Sequence, residues 1–143
     1  MAVQIDIVYQ GSLRCSATHG PSTLTLETDA PVDNGGKGAA FSPTDLVAAA
    51  MGTCMATIMG IVARRNQLDL EGLEIQVLKE MVADPVRRIG ALHTRLVFPR
   101  GKRYSAADRA KLEAAARTCP VIRSLHPDLK VPVEFVYPEP GAP

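Results

Sequence analysis

The chain has 143 residues, three cysteines and a low aromatic content, so it fits one domain (1–143) that can bury a core without disulfide cross-links. The formal net charge is +1 and the basic residues are scattered, which argues against a nucleic-acid partner. The N-terminal residues lack the basic and apolar blocks of a secretory signal, so we expect a cytoplasmic protein.

The N-terminal third predicts a small antiparallel meander. Apolar and polar residues alternate along residues 3–9, as in a half-buried strand, and two further strands are predicted over 13–17 and 22–27. Residues 29–42 are rich in Pro, Gly and Asn, which is typical of a loop. Lys37 in this loop is followed by Gly38 instead of Ser or Thr, so the phosphate-binding pattern is incomplete and nucleotide binding is disfavoured.

A long apolar helix follows the loop. Ser42 is a suitable N-cap, Pro43 suits the first helical position, and Asp45 complements the helix dipole. The run then continues without a charge through residue 63, close to the shortest length that spans a membrane. Its small residues and amphipathic flanking strands favour a buried core helix instead, which could also pack against a second copy of itself. We therefore expect no membrane association.

The C-terminal half predicts mainly an antiparallel hairpin and a helix. Alternating apolar residues over 73–99, interrupted at Asp84-Pro85, indicate the hairpin. Ser105 opens a helix that ends near Thr118, Cys119-Pro120 begins a short helical turn, and residues 131–135 alternate as a last strand. This order of elements predicts an α+β fold and disfavours dinucleotide-binding folds.

The cysteines are too few and too widely spaced for a disulfide scaffold or a zinc site. Cys54 lies about three turns into the apolar helix, where desolvation keeps a thiol protonated. Cys119 is a plausible helix N-cap, where free N–H groups favour a thiolate. Each of these two could be a packed apolar side chain or a redox thiol, and Cys15 is interpreted as structural. The dispersed histidines disfavour a metal enzyme or a cysteine hydrolase.

Two segments resemble the signatures of the OsmC/Ohr family. Residues 42–54, SPTDLVAAAMGTC, are similar to the family's first cysteine helix, and residues 118–121, TCPV, are similar to the region of its second cysteine. The glycine-rich loop, the hairpin and the closing strand are also similar, so the resemblance covers nearly the whole chain. It implies an OsmC-like fold in which antiparallel sheets wrap around the two central cysteine helices of an intertwined homodimer.

The resemblance also implies a thiol-dependent peroxidase that protects against oxidative stress. Cys54 would attack a hydroperoxide and become a sulfenic acid, Cys119 would form a disulfide with it, and an external dithiol would restore both thiols. The implied substrates are organic hydroperoxides, with hydrogen peroxide as a second candidate. No cofactor and no metal are implied.

The resemblance implies a third site residue, Arg14, as the arginine that the partner chain contributes and that lowers the pKa of the attacking thiol. Its other interpretation is a solvated strand charge. The family glutamate that orients this arginine is replaced by Thr44, and Asp45 is one residue later, rotated by about 100° on the helix. Asp45 is therefore better interpreted as a partner of the helix dipole. Two alternatives stay open: a redox-sensing or small-molecule-binding dimer with little turnover, and a structural dimer in which Cys54 is only core.

Overall fold

The computed structural model describes residues 1–139. Its elements are β1 (Ile5–Gly11), β2 (Arg14–His19), β3 (Thr25–Asp29), a 3-10 turn (Val32–Asn34), α1 (Pro43–Arg65), β4 (Glu74–Val82), β5 (Arg88–Val97), α2 (Ala106–Arg117), α3 (Pro120–Ser124) and β6 (Val133–Val136). The α+β prediction is confirmed. The backbone divides into two compact units, Met1–Val47 and the part from Ala48 onward. The single-domain assignment stays a prediction.

The first unit contains the predicted antiparallel meander, in the order β1-β2-β3. Strands β2 and β3 begin later than predicted because the residues before them adopt left-handed backbone conformations. Ser12 and Leu13 have φ values of 52° and 63°, and Thr23 has a φ of 60°. Such values belong to turns, since they do not fit the extended backbone of a strand.

The sheet of the first unit exposes apolar side chains on both of its faces. Ile7 and Val8 point to opposite faces, yet they are 66% and 63% exposed. The other exposed apolar residues of this unit include Val3, Ile5, Tyr9, Leu13, Leu24, Leu26, Val32 and Phe41. The expectation of a half-buried β1 is therefore wrong for the single chain, because both faces of that strand are exposed within residues 1–139.

Helix α1 begins where the sequence predicts. The backbone N–H of Ser42 donates to Oδ2 of Asp45 at 2.8 Å, and the backbone N–H of Asp45 donates to Oγ of Ser42 at 3.1 Å. This reciprocal pair is a capping box, which satisfies N–H groups that have no partner within the helix. Asp45 thus takes part in the helix start, as its interpretation as a first-turn partner requires.

The rest of α1 is buried along one face. The buried residues recur every three or four positions: Ala48, Met51, Met55, Met59 and Ala63. Thr53 and Thr57 are exposed, and their hydroxyls donate to helix carbonyls at 2.8 Å. In the single chain α1 is therefore a core helix along one face and is exposed along the other.

By length and composition α1 could also span a membrane, and among residues 1–139 it is the one helix that could. Core helices of soluble proteins have the same properties.

The second unit is built on a mixed sheet. Strands β4 and β5 form the predicted antiparallel hairpin, while β6 adds to β5 in parallel, so this sheet is not purely antiparallel. Leu92 and Leu96 of β5 are fully buried and join the methionines of α1 in one core cluster with Leu112 of α2. The cluster forms because the inward residues of the strands and the buried stripes of both helices are apolar.

The two C-terminal helices begin as predicted. Ser105 caps α2, and its Oγ accepts the backbone N–H of Asp108 at 3.1 Å. Helix α2 ends at Arg117, Cys119 is the N-cap of α3, and Pro120 occupies the first position of α3. The capping signals in the sequence therefore located both helices correctly.

Two glycines of α1 offer a test of this packing. A Cβ added at Gly52 would lie 3.1 Å from Cγ2 of Val77, whereas one added at Gly60 would have no neighbour within 4 Å. Alanine stabilises a helix by about 1 kcal/mol relative to glycine, so the two changes carry the same intrinsic gain. We expect Gly60→Ala to raise the free energy of unfolding. The free energy of unfolding of Gly52→Ala should be about 1 kcal/mol lower than that of Gly60→Ala, because the added methyl group overpacks against Val77. Urea unfolding followed by circular dichroism measures the difference, and equal stability of the two variants would contradict this packing.

Candidate active site

Cys54 lies at the border between the buried and the exposed faces of α1. It is half-buried and packs against the core cluster, while the adjacent Thr53 is exposed. Met51 and Met55, on either side of it along the buried face, are fully buried. Cys54 is therefore more accessible from solvent than the fully buried residues beside it.

Cys119 has no exposed surface and is the N-cap residue of α3. Its extended backbone, with φ −64° and ψ 149°, ends the preceding loop, and Pro120 presets the helical φ that follows. The backbone N–H groups of Ile122 and Val121 act on the sulfur and favour its thiolate form. This is the helix-start environment that the sequence predicts.

The fold brings the two thiols together. Cys119 belongs to the core cluster against which Cys54 packs, and the Cys54 side chain is near enough to act on the Cys119 thiol, although the two residues belong to different elements far apart in the chain. Burial raises the pKa of the Cys119 thiol, and the neighbouring Cys54 raises that pKa further, while the N–H groups of Ile122 and Val121 oppose the increase. Cys119 is therefore a protonated thiol at neutral pH, close to the more accessible thiol of Cys54. Such a pair can form a disulfide after oxidation of either sulfur.

Arg14 belongs to the first unit, at the start of β2. Its guanidinium forms an ion pair with Glu27 of β3 at 2.9 Å, and the two side chains are 34% and 55% exposed. Glu27 was not identified from the sequence. The pairing of β2 with β3 explains the contact. Arg14 is opposite Asp29 and Ser16 is opposite Glu27. Arg14 and Glu27 are therefore diagonal neighbours on one face of the sheet. The role of Arg14 as the activating arginine stays a prediction.

Asp29 is a second carboxylate near Arg14, and no pattern in the sequence points to it. Its side chain is buried, and Oδ2 accepts the backbone N–H of Ala39 at 3.0 Å. That hydrogen bond, together with weaker ones from Lys37 and Ala30 and the charge of Arg14, holds the pKa of Asp29 below its usual value despite burial. Asp29 thus anchors the glycine-rich loop as a charged group.

The remaining thiol and the histidines are dispersed. Cys15 is a free, half-buried cysteine of β2, in register with Tyr9 and Thr28. His93 lies 3.2 Å from Glu80, and His126 lies 3.9 Å from Asp128. Within residues 1–139 no three His, Cys, Asp or Glu side chains form a group that could hold a metal ion.

The sequence profile of OsmC-like proteins matches residues 35–134, which include both Cys54 and Cys119. The chain belongs to the OsmC-like family. The resemblance to OsmC/Ohr proteins is thereby confirmed, and Arg14 lies outside the matched residues. A search of curated protein sequences gives no match.

Solved structures agree with this family. A protein of Psychrobacter arcticus 273-4, provisionally described as an osmotic stress induced and detoxification response protein, is 42% identical, with a TM-score of 0.87 over 94% of this chain and 96% of its own. The organic hydroperoxide resistance protein OsmC of Legionella pneumophila is 21% identical, with a TM-score of 0.72 over 95% and 97%. OhrB of Bacillus subtilis, also an organic hydroperoxide resistance protein, is 18% identical, with a TM-score of 0.67 over 94% and 98%. OsmC-like structures with such different sequences share this fold.

Proposed function

We propose that the protein is a thiol-dependent peroxidase that reduces organic hydroperoxides. The observation that carries this proposal is the proximity of Cys54 and Cys119 at one core cluster, where Cys54 is half-buried and Cys119 is fully buried. The names of the Legionella and Bacillus relatives, organic hydroperoxide resistance proteins, support the choice of substrate. Hydrogen peroxide is the smaller candidate substrate.

The proposed cycle has three balanced steps. The Cys54 thiolate attacks the distal oxygen of the hydroperoxide, the O–O bond breaks, and the leaving alkoxide takes a proton to become an alcohol. The resulting Cys54 sulfenic acid is attacked by the Cys119 sulfur, which forms the disulfide and releases water. An external dithiol then reduces the disulfide by thiol exchange and is itself oxidised to a disulfide.

Exposure and acidity support this assignment of roles. Cys54 borders solvent, so a hydroperoxide reaches it before it reaches the buried Cys119. The raised pKa of Cys119 keeps that thiol protonated and unreactive until the sulfenic acid forms beside it. The N–H groups of Ile122 and Val121 would then stabilise the Cys119 thiolate during its attack. Reduction of the disulfide requires a dithiol pool, which agrees with the expected cytoplasmic location.

Arg14 is the proposed activating cation. Arginine stays charged at all relevant pH values and has a fork of donors that can hold a thiolate and a peroxide oxygen. In this chain the Arg14 guanidinium is paired with Glu27. Glu27 can therefore orient Arg14, a task that the family assigns to the glutamate replaced here by Thr44. The half-exposed setting of the ion pair means that its contribution to stability is small.

The test is the intact mass of the reduced protein after one equivalent of cumene hydroperoxide. We expect a loss of two hydrogen atoms and a Cys54–Cys119 cross-link in the peptide map. Cys15 is the internal control, since it should stay a free thiol. An unchanged mass, or a disulfide that involves Cys15, would contradict the proposal.

A second candidate function is a redox-sensing or small-molecule-binding protein with little turnover. Thr44 at the position of the family glutamate favours it, and so does the neutralisation of Arg14 by Glu27. Steady-state kinetics with excess dithiol separate the two functions. Formation of the disulfide with negligible turnover would favour the sensor.

We also propose that the protein works as a homodimer. Two observations support this: the uncovered apolar residues of the β1–β3 sheet and, separately, the exposed face of α1 around Thr53 and Thr57. Apolar surfaces of this extent are typical of protein interfaces. A second copy is the partner that the OsmC/Ohr resemblance implies.

The oligomeric state of variants tests the dimer. We expect Ile7→Arg to shift the protein from dimer toward monomer in light scattering after gel filtration, because a desolvated guanidinium at an interface is costly. Val86→Arg is the matched control, since Val86 at the hairpin turn is similarly exposed, 60% against 66%. A monomeric wild-type protein, or equal effects of the two variants, would contradict the proposal.

A further inference from the structure

The second unit contains a cavity of about 370 Å³ that is separate from the thiol pair. It lies between the segment that follows β5, the first turn of α2 and the chain after β6, and neither Cys54 nor Cys119 lines it. Its volume is within the range of small-molecule sites.

The wall of the cavity is a rigid aromatic cluster. Phe98 and Tyr137 are stacked with centroids 4.1 Å apart, and Phe98 meets Tyr104 edge-on at 5.2 Å. The hydroxyl of Tyr104 donates to the carbonyl of Asp69 at 2.6 Å, and that of Tyr137 donates to Glu113 at 2.9 Å. Both tyrosine hydroxyls therefore already donate their hydrogens to protein groups. The aromatic wall defines the shape of the cavity, and other side chains must supply the hydrogen-bond donors that recognise a ligand.

Those other groups are mainly cationic. Lys102, Arg103 and Arg109 line the cavity with a single carboxylate, Glu139. Lys102 is held by Asp69 at 2.6 Å, but within residues 1–139 neither arginine has an ion pair with a carboxylate. The Arg109 guanidinium lies 4.1 Å over the ring of Tyr137.

This stacking leaves the donors of Arg109 available. A cation–π contact is made through the ring face and uses no carboxylate or carbonyl acceptor, so the five N–H donors of the guanidinium are not consumed by it. The contact with the ring restricts the Arg109 side chain, so less side-chain freedom is lost when a ligand binds. Two arginines without carboxylate partners beside one concave surface are a typical arrangement for binding an oxyanion.

We infer that this cavity is a binding site for a small molecule that carries a phosphate or carboxylate group, held by Arg103 and Arg109 with Lys102 at its edge. The site is independent of the peroxidase chemistry. Both faces of the Tyr137 ring are in contact with protein groups, so recognition rests on the charged group of the ligand and not on stacking.

The test is a titration of the full-length ¹⁵N-labelled protein with inorganic phosphate, at constant ionic strength with chloride as the balancing ion. We expect saturable shifts in the amides of residues 100–109. Arg103→Gln should weaken phosphate binding by about tenfold, the effect of losing one charged hydrogen bond. Arg64→Gln, a matched exposed arginine at the end of α1, should leave the affinity unchanged.

The variants and a second anion distinguish the possible outcomes. Arg103→Gln avoids the Tyr137 contact of Arg109, so loss of binding in it does not come from misfolding. Acetate serves as the second probe: stronger binding of acetate would identify a carboxylate ligand, and stronger binding of phosphate a phosphorylated one. Linear, non-saturating shifts with both anions, or an equal effect of Arg64→Gln, would overturn the inference.

Discussion

Replacement of Cys54 by serine is expected to reduce hydroperoxide consumption to the uncatalysed rate. A serine hydroxyl is not ionised near neutral pH and cannot form a sulfenic acid, so the first bond to the peroxide oxygen is never made. Loss of a nucleophile typically lowers turnover by a factor of about 10³ or more. The measurement is the consumption of cumene hydroperoxide with excess dithiothreitol.

The matched control for this variant is Cys15→Ser. Cys15 is also a free, half-buried cysteine, but it lies on β2 in the first unit. We expect this variant to keep wild-type turnover. Circular dichroism of both variants shows whether the fold is retained. Substantial turnover by folded Cys54→Ser would refute the peroxidase assignment, and the structural-dimer alternative predicts no difference between the two variants.

Replacement of Cys119 by serine is expected to leave the first oxidation intact and to block the second step. Cys54 should then accumulate as a sulfenic acid, with a mass gain of one oxygen atom per chain, because no neighbouring thiol captures it. A sulfenic acid that persists is open to further, irreversible oxidation. We therefore expect turnover with dithiol to fall by about tenfold or more, as external thiol replaces a preassembled one.

Trapping with dimedone, which reacts with sulfenic acids, measures this intermediate. The adduct should form on Cys54 in Cys119→Ser and should be scarce in the wild-type protein, where the disulfide forms instead. Cys119→Ala is a useful companion, since serine places a polar hydroxyl at a position with no exposed surface. A disulfide between Cys54 and Cys15 in these variants, or an absence of adduct, would contradict the assignment of Cys119.

Local signals in the sequence were sufficient for most element boundaries. Ser42 with Asp45, Ser105 with Asp108, and Cys119 with Pro120 begin the three helices as predicted, because capping depends on residues within one turn of each other. The hairpin of β4 and β5 follows from period-two alternation. The starts of β2 and β3 were less predictable, since Leu13 and Thr23 adopt left-handed conformations that such residues seldom take.

The sequence by itself determined the α+β class, the helix starts and the two candidate thiols, because these depend on periodicity, capping and a family motif. Only the tertiary structure showed that Cys54 and Cys119 lie at one core cluster, that burial raises the pKa of Cys119, and that Glu27 pairs with Arg14. The buried face of α1 could also be found only from the tertiary structure. The helix is apolar all round, so periodicity does not show which of its sides the core covers. Contacts between residues distant in the chain depend on how the helices and strands pack, and no local pattern encodes them.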